Sequence, residues 1–237
     1  MKMKSLLLLS VFTLTNGILW AGTGRQDSID RLQMSSDVLH SLTESPDKGI
    51  PEEVLGSAKC IVVVPHLVKG GFIIGGEHGR GIATCRTAEG WSAPAFVSLG
   101  GGSWGLQIGV EGVDLVMLVM NDHGFQHLLS SKFQIGGDAS ASAGPVGRHA
   151  SADTDWKMNS EILTYSRSKG IFAGITLDGA VVEQDTDSTR AIYGRERSFH
   201  AILSGRVAAP RSTLGFLKAV AETDHLGTLA QAAAASQ

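Results

Sequence analysis

Residues 97–109 read VSLGGGSWGLQIG, and two catalytic patterns overlap in them. Gly100, Gly102 and Gly105 fit G-x-G-x-x-G, the dinucleotide-binding fingerprint. Gly101, Ser103 and Gly105 fit G-x-S-x-G, the nucleophile elbow of serine hydrolases. Both patterns need a strand, a tight turn and then a helix. The helix N-terminus holds the pyrophosphate in one case and positions the serine in the other. After Gly105, however, Leu106, Ile108 and Val110 alternate with Gln107, Gly109 and Glu111, the period of two that marks a strand. An acidic ribose partner about 20 residues on is also missing, since 120–130 offers only Asp122 beside a turn. The glycines are read instead as places where a neighbouring segment approaches or the strand bends. A hydrolase centred on Ser103 with one of the histidines remains as a minor reading.

Working outward, Val113–Met120 is a breaker-free apolar run, a buried strand ending at Asn121-Asp122. Upstream, Cys60-Ile-Val-Val-Val-Pro65 is a β-branched strand stopped by proline. Extended segments over 72–75 and 81–85 are broken by Gly75, Gly76 and Gly79, and 91–99 is another extended run. Phe133 to Gly147 is small and Gly/Ala/Ser-rich, a linker or a tightly packed strand. Strands are expected over 162–167 and 171–177, and Asp178-Gly179 before Ala-Val-Val-Glu is the strongest hairpin signal. Residues 26–44 form an amphipathic helix with Ile29, Leu32, Val38, Leu39 and Leu42 on one side. Short helices are expected from Pro51 to Lys59, over 123–131 capped by Asp122, and to Tyr193 capped by Ser188 or Asp187. The tail from Pro210 is helical by composition, fraying over its final AQAAAASQ.

Glycine is the compositional outlier, with 30 of 237 residues and no G-X-Y period. Lys2 and Lys4 precede the apolar run 6–12, and Ala21-Gly22 offers a small-residue cleavage site. That is the layout of a secretory signal peptide over 1–21, followed by a domain over 25–200 and a helical extension over 201–237. The chain is therefore expected to be exported, periplasmic or secreted. Loss of the leader removes two lysines and no acid, so the net charge moves from −3 to −5, a poor balance for nucleic-acid binding. Cys60 and Cys85 are the two cysteines. A simple hairpin around Lys69-Gly70-Gly71 does not place them opposite each other. An oxidising compartment lets them pair across the core, and two buried thiols are the other reading.

His123 and His127 share a helix face, but Gly124 stands where zinc proteases carry a glutamate, so the pair is read as exposed histidines with no metal. Glu183, Asp185 and Asp187 read as a solvated acidic turn and helix cap. Lys69, Arg80, Lys132, Arg148, Lys157, Arg167 and Lys169 occur singly, several beside glycines whose N–H groups an anion can reach. Brought together they make a phosphate-binding patch; apart they are ordinary surface charges. No nucleophile–base pair and no cofactor motif stands out.

From Lys59 to about Arg195 the chain resembles the SYLF domain family of lipid-binding proteins. The stretches that carry the resemblance are AKCIVVVP, KGGFIIGGEHGRGIATCR, GWSAPAFVSLGGGSWGLQIG, DLVMLVMN, LLSSKFQIGGDASASAGPVGRHA and DTDWKMNSEILTYSRSKGIFAGITLDGAVVEQD. The resemblance implies a glycine-rich β core with flanking helices and binding of acidic phospholipids, phosphoinositides among them in eukaryotic relatives. It also implies actin association in some members and no enzymatic activity. One departure is that helix 26–44 carries Asp30, Asp37 and Glu44 on its polar face, where a membrane-engaging helix needs Lys or Arg. This helix is expected to pack on the domain, and export removes actin and cytosolic phosphoinositides as partners. The expected fold is α+β: a mainly antiparallel, barrel- or sandwich-like β core with N- and C-terminal flanking helices. The expected function is non-enzymatic contact with anionic phospholipid at a membrane surface. A scaffold in the envelope that binds protein and not lipid is the alternative.

Overall fold

The computed structural model describes residues 16–44, 49–72, 74–104, 109–147 and 160–235. The run that opens at Cys60 sets the architecture. Cys60, Val62 and Val64 enter one buried cluster, while Ile61 and Val63 enter a second on the opposite face. The same alternation recurs at Leu115, Met117 and Val119 against Val116 and Leu118. A strand buried on both faces loses the polar alternation of a half-exposed one, which is why these runs read as unbroken apolar sequence.

The strands are β1 (Cys60–Phe72), β2 (Ile74–Thr87), β3 (Gly90–Trp91), β4 (Ala95–Trp104), β5 (Gly109–Val119), β6 (Lys132–Gln134), β7 (Ala141–Ala143), β8 (Ile162–Ser168), β9 (Ile171–Gly174) and β10 (Val181–Gln184). They form a curled half-barrel in the order β6-β10-β4-β2-β1-β5-β8-β7, with β3 on β2 and β9 on β8. Every pairing is antiparallel except β7 with β8. Helices α1 (Asn16–Glu44), α2 (Glu52–Ser57) and α6 (Leu214–Ala235) cover one face, burying Leu32, Leu39, Val54 and Phe216 against it. Helices α3 (Asp122–Leu129) and α5 (Phe199–Leu203) close the other with Leu128, Phe199 and Ile202. Helix α4 (Thr186–Tyr193) leads out of β10, and Ile192 joins the first face.

The expected apolar side of α1 is the buried one, and Asp30 and Asp37 are exposed. Inside that apolar side lies Arg31, which pairs with Asp185 at 2.9 Å and lies over the Phe96 ring at 5.6 Å. Arg86 is a second structural cation. It donates to the Ala58 and Gly56 carbonyls that end α2, pairs with Asp224 of α6, and stacks on Trp91 at 4.7 Å. Residues 1–15 of the expected leader lie outside the described residues, and helical backbone runs from Asn16 through Ala21-Gly22.

Several sequence expectations are corrected. Pro65 does not stop its strand, because the register shifts between Val63 and Val68 and the bulge absorbs a residue that has no N–H for the ladder. Lys69-Gly70-Gly71 is consequently strand, and β1 runs on to Phe72. The strands meet at Phe72 and Ile74, beyond Lys69-Gly70-Gly71, and with the one-residue shift this sets Cys60 directly opposite Cys85, where the hairpin expectation had them apart, and a disulfide joins them. Gly75, Gly76 and Gly79 do not break β2, since β1 on one side and β4 on the other satisfy its backbone. Asp178-Gly179 makes a turn but no hairpin: β9 pairs with β8, whereas β10 pairs with β4 and β6. The helix caps are Asn121 and Asp185, each earlier than expected.

Candidate functional site

Asp114 and Arg167 stand opposite each other on β5 and β8. The Asp114 carboxylate accepts from Arg167 Nη1 at 3.1 Å and from the His66 backbone N–H at 3.1 Å. It therefore ties the β1 bulge to β8 through two charge-assisted bonds. His66 sits in that bulge at φ 53°, in the left-handed region. Beyond Arg167, β8 turns into β9 through Lys169 at φ 51° and Gly170 at φ 80°, with Ser168 paired to Ile171. Two positive φ values in a two-residue loop make a type I′ turn, a place where Asn or Gly usually leads.

Among the described residues, His66 and Lys169 are the two non-glycine residues with positive φ, and both line one pocket. That pocket, of about 270 Å³, is completed by Gly112, Asp114, Arg167, Ser168 and Gly170. Arg167 Nε is buried and donates to no protein group. Next to this rim are two exposed apolar side chains. Val68, 47% exposed, pairs across the ladder with Gly112, and Ile171, 59% exposed, follows Gly170. A concave cationic spot with apolar neighbours can hold an anionic group while the neighbours enter a less polar phase.

The seven basic residues named from sequence are dispersed. Arg167 and Lys169 line the pocket together. Lys69 pairs with Glu77 across the β1–β2 ladder at 3.4 Å. Lys132 pairs with Glu183 at 3.4 Å on β6, at the far end of the strand order from β8. Arg80 is exposed on β2, and its charge adds to the burial that depresses the Arg31 pKa. Arg148 and Lys157 lie outside the described residues. Sequence reading missed His66 and Asp114. His66 had a signal in the Pro-His dipeptide inside an apolar strand, which forces an irregularity; Asp114 had one as an acid inside the buried run 113–120.

The overlapping glycine motifs also receive their answer. Ser103 is a ladder position opposite Gly75, β4 runs to Trp104, and β5 opens at Gly109. Gly105 and residues 106–108 lie outside the described residues, but strand stands on both sides of them. A Cβ on Gly101 would stand 3.0 Å from the Ala180 Cα, so close approach by the chain leading into β10 explains that glycine. His123 and His127 both turn to Glu161.

A family model described as "Ysc84: Las17-binding protein actin regulator" matches residues 100–223. The chain is 34% identical over 168 residues to Protein YSC84 of Saccharomyces cerevisiae, covering 69% of this chain and 36% of that protein. It is 31% identical over 183 residues to SH3 domain-containing YSC84-like protein 1 of Rattus norvegicus, covering 74% of this chain and 54% of that one. LAS seventeen-binding protein 3 of Saccharomyces cerevisiae is 32% identical over 168 residues, covering 69% and 36% respectively. The chain thus spans between about a third and a half of the length of these relatives.

Proposed function

This chain belongs to the Ysc84 (SYLF) family, and from that premise we propose that it is a non-enzymatic binding module for anionic phospholipid. The headgroup phosphate would sit at the pocket between the β1 bulge and the β8–β9 turn. One observation carries the reading: the two left-handed L-residues among the described residues converge on this pocket, beside Arg167 and two exposed apolar side chains. A left-handed non-glycine residue costs about 1–3 kcal/mol, a cost that accumulates at functional sites. A lysine at a turn position suited to asparagine or glycine is a choice of charge over conformational ease. Asp114 offsets part of the charge of Arg167, which leaves Lys169, exposed to solvent at the turn, as the main phosphate contact.

Export to an oxidising compartment belongs to the same proposal. It is supported by the basic-then-apolar N-terminus and by the Cys60–Cys85 disulfide, which a reducing cytosol disfavours. The names of the relatives favour a second reading, a surface that binds protein in place of lipid.

Vesicle co-sedimentation at low salt tests the first reading. Anionic phosphatidylglycerol vesicles should retain the protein and neutral phosphatidylcholine vesicles should not. Lys169→Gly should weaken retention about fivefold, the worth of one basic group near an anionic surface. The same variant should melt at higher temperature, because the turn is relieved of strain. Equal recovery on both vesicles would sink the reading. Retention on a detergent-solubilised protein partner in its place would favour the second.

A further inference from the structure

We propose that His123, His127 and Glu161 form a binding site for a divalent first-row transition ion, zinc(II) foremost. This site is separate from the pocket above and does not depend on it. His123 and His127 are one turn apart on α3, with ring centroids 4.7 Å apart. Glu161 immediately precedes β8 and brings the third ligand. The donor atoms of the three residues lie within 4.8 Å of one another.

The distances fit an ion better than they fit a closed hydrogen-bond network. Glu161 Oε1 meets His123 Nδ1 at 2.7 Å, but Oε2 is 3.9 Å from His127 Nε2, beyond hydrogen-bond reach. His127 Nε2 is buried and has no hydrogen-bond partner, an orphan that wants either a proton acceptor or a metal. Ligands held about 2.0–2.1 Å from a tetrahedral zinc lie roughly 3.3 Å from one another. The two Glu–His separations, each to a different carboxylate oxygen, bracket that value, and side-chain rotation within the 4.8 Å cluster places an ion among the three. It would replace the His123–Glu161 hydrogen bond and give His127 Nε2 its partner.

The supporting structure is built for this. The Ser140 N–H donates to Glu161 Oε2 at 3.2 Å, the kind of outer contact that orients a ligating carboxylate. Gly124 matters as well. A Cβ there would stand 2.8 Å from the Glu161 carbonyl oxygen and 3.0 Å from Val119 Cγ1. The glycine that stands in for a zinc protease's glutamate is thus what lets α3 approach Glu161. Two histidines and one carboxylate leave a fourth position for water, and the set suits imidazole-seeking ions such as zinc over calcium or magnesium.

Isothermal titration of zinc chloride into the full chain, stripped with chelator, tests the site. One saturable site per chain is expected, and cobalt(II) in its place should give the visible absorption of a four-coordinate ion. His127→Ala and Glu161→Gln should weaken zinc binding roughly tenfold or more. His123→Ala should do the same, and since this side chain is 70% exposed the variant keeps its fold. No saturable binding would overturn the proposal, as would binding that His123→Ala leaves unchanged.

Discussion

At the scale of single residues, the buried pair Arg31–Asp185 decides how acid acts on this protein. Their side chains are 5% and 11% exposed. Burial pulls the Asp185 carboxyl upward, but the Ser188 backbone N–H, the Ser188 hydroxyl and Arg31 together hold it below its ordinary value. Burial also depresses Arg31, but a guanidinium stays protonated wherever proteins fold, so the carboxylate is the partner that titrates. A depressed carboxyl contributes stability that is present above its unfolded value of about 3.9 and is lost as pH falls through the folded value. Denaturant midpoints measured from pH 6 downward should therefore fall below about pH 4. Asp185→Ala should cost about 3 kcal/mol at neutral pH, since it strands a buried cation and removes the α4 cap. It should also flatten this acid limb. Arg31 went unread although a 100° wheel sets it between Leu42 and Val38, within the apolar arc. Glu161 was not legible, because nothing in its neighbourhood marks it as reaching α3.

At the scale of elements, local signals located the pieces, and tertiary pairing chose their partners. The run 60–65, the strand 113–120 and the helix over 26–44 were readable because burial on one or both faces leaves a periodic trace. The hairpins were not. Asp178-Gly179 has the better turn chemistry, yet the two-residue hairpin is at Lys169-Gly170, because Val182 of β10 is buried beside β4 and β6. The Cys60–Cys85 register depended on β1 and β2 meeting at Phe72 and Ile74, past the glycines, and on a bulge that a proline only hints at. The disulfide closes a loop with sequence separation 25, which gives about 3 kcal/mol on chain-entropy grounds. Cys60→Ser with Cys85→Ser should lower unfolding free energy by about 2–3 kcal/mol in urea titrations. Reductant should reproduce most of that loss in the wild-type chain and none in the double variant.

At the scale of the whole molecule, one curled sheet is covered by helices on both faces, and the amphipathic helix α1 is part of a core. Leu39 of α1 is fully buried, and its face meets β1, β2 and α6. Leu39→Ala should cost about 3 kcal/mol in thermal or urea unfolding. It should leave vesicle retention unchanged well below the melting temperature, since the proposed contact surface lies away from α1. The surface assigned to that role is the end of the sheet where His66, Lys169, Val68 and Ile171 gather. It can be probed in place: a solvatochromic dye on Ile171→Cys, with the native disulfide intact, reports the polarity at that one position. Phosphatidylglycerol vesicles should shift its emission to the blue, phosphatidylcholine should not, and the same dye on Leu214→Cys of α6 should stay silent. Binding to the anionic vesicles with no shift at Ile171, or with the shift at Leu214, would mean that the membrane meets another face.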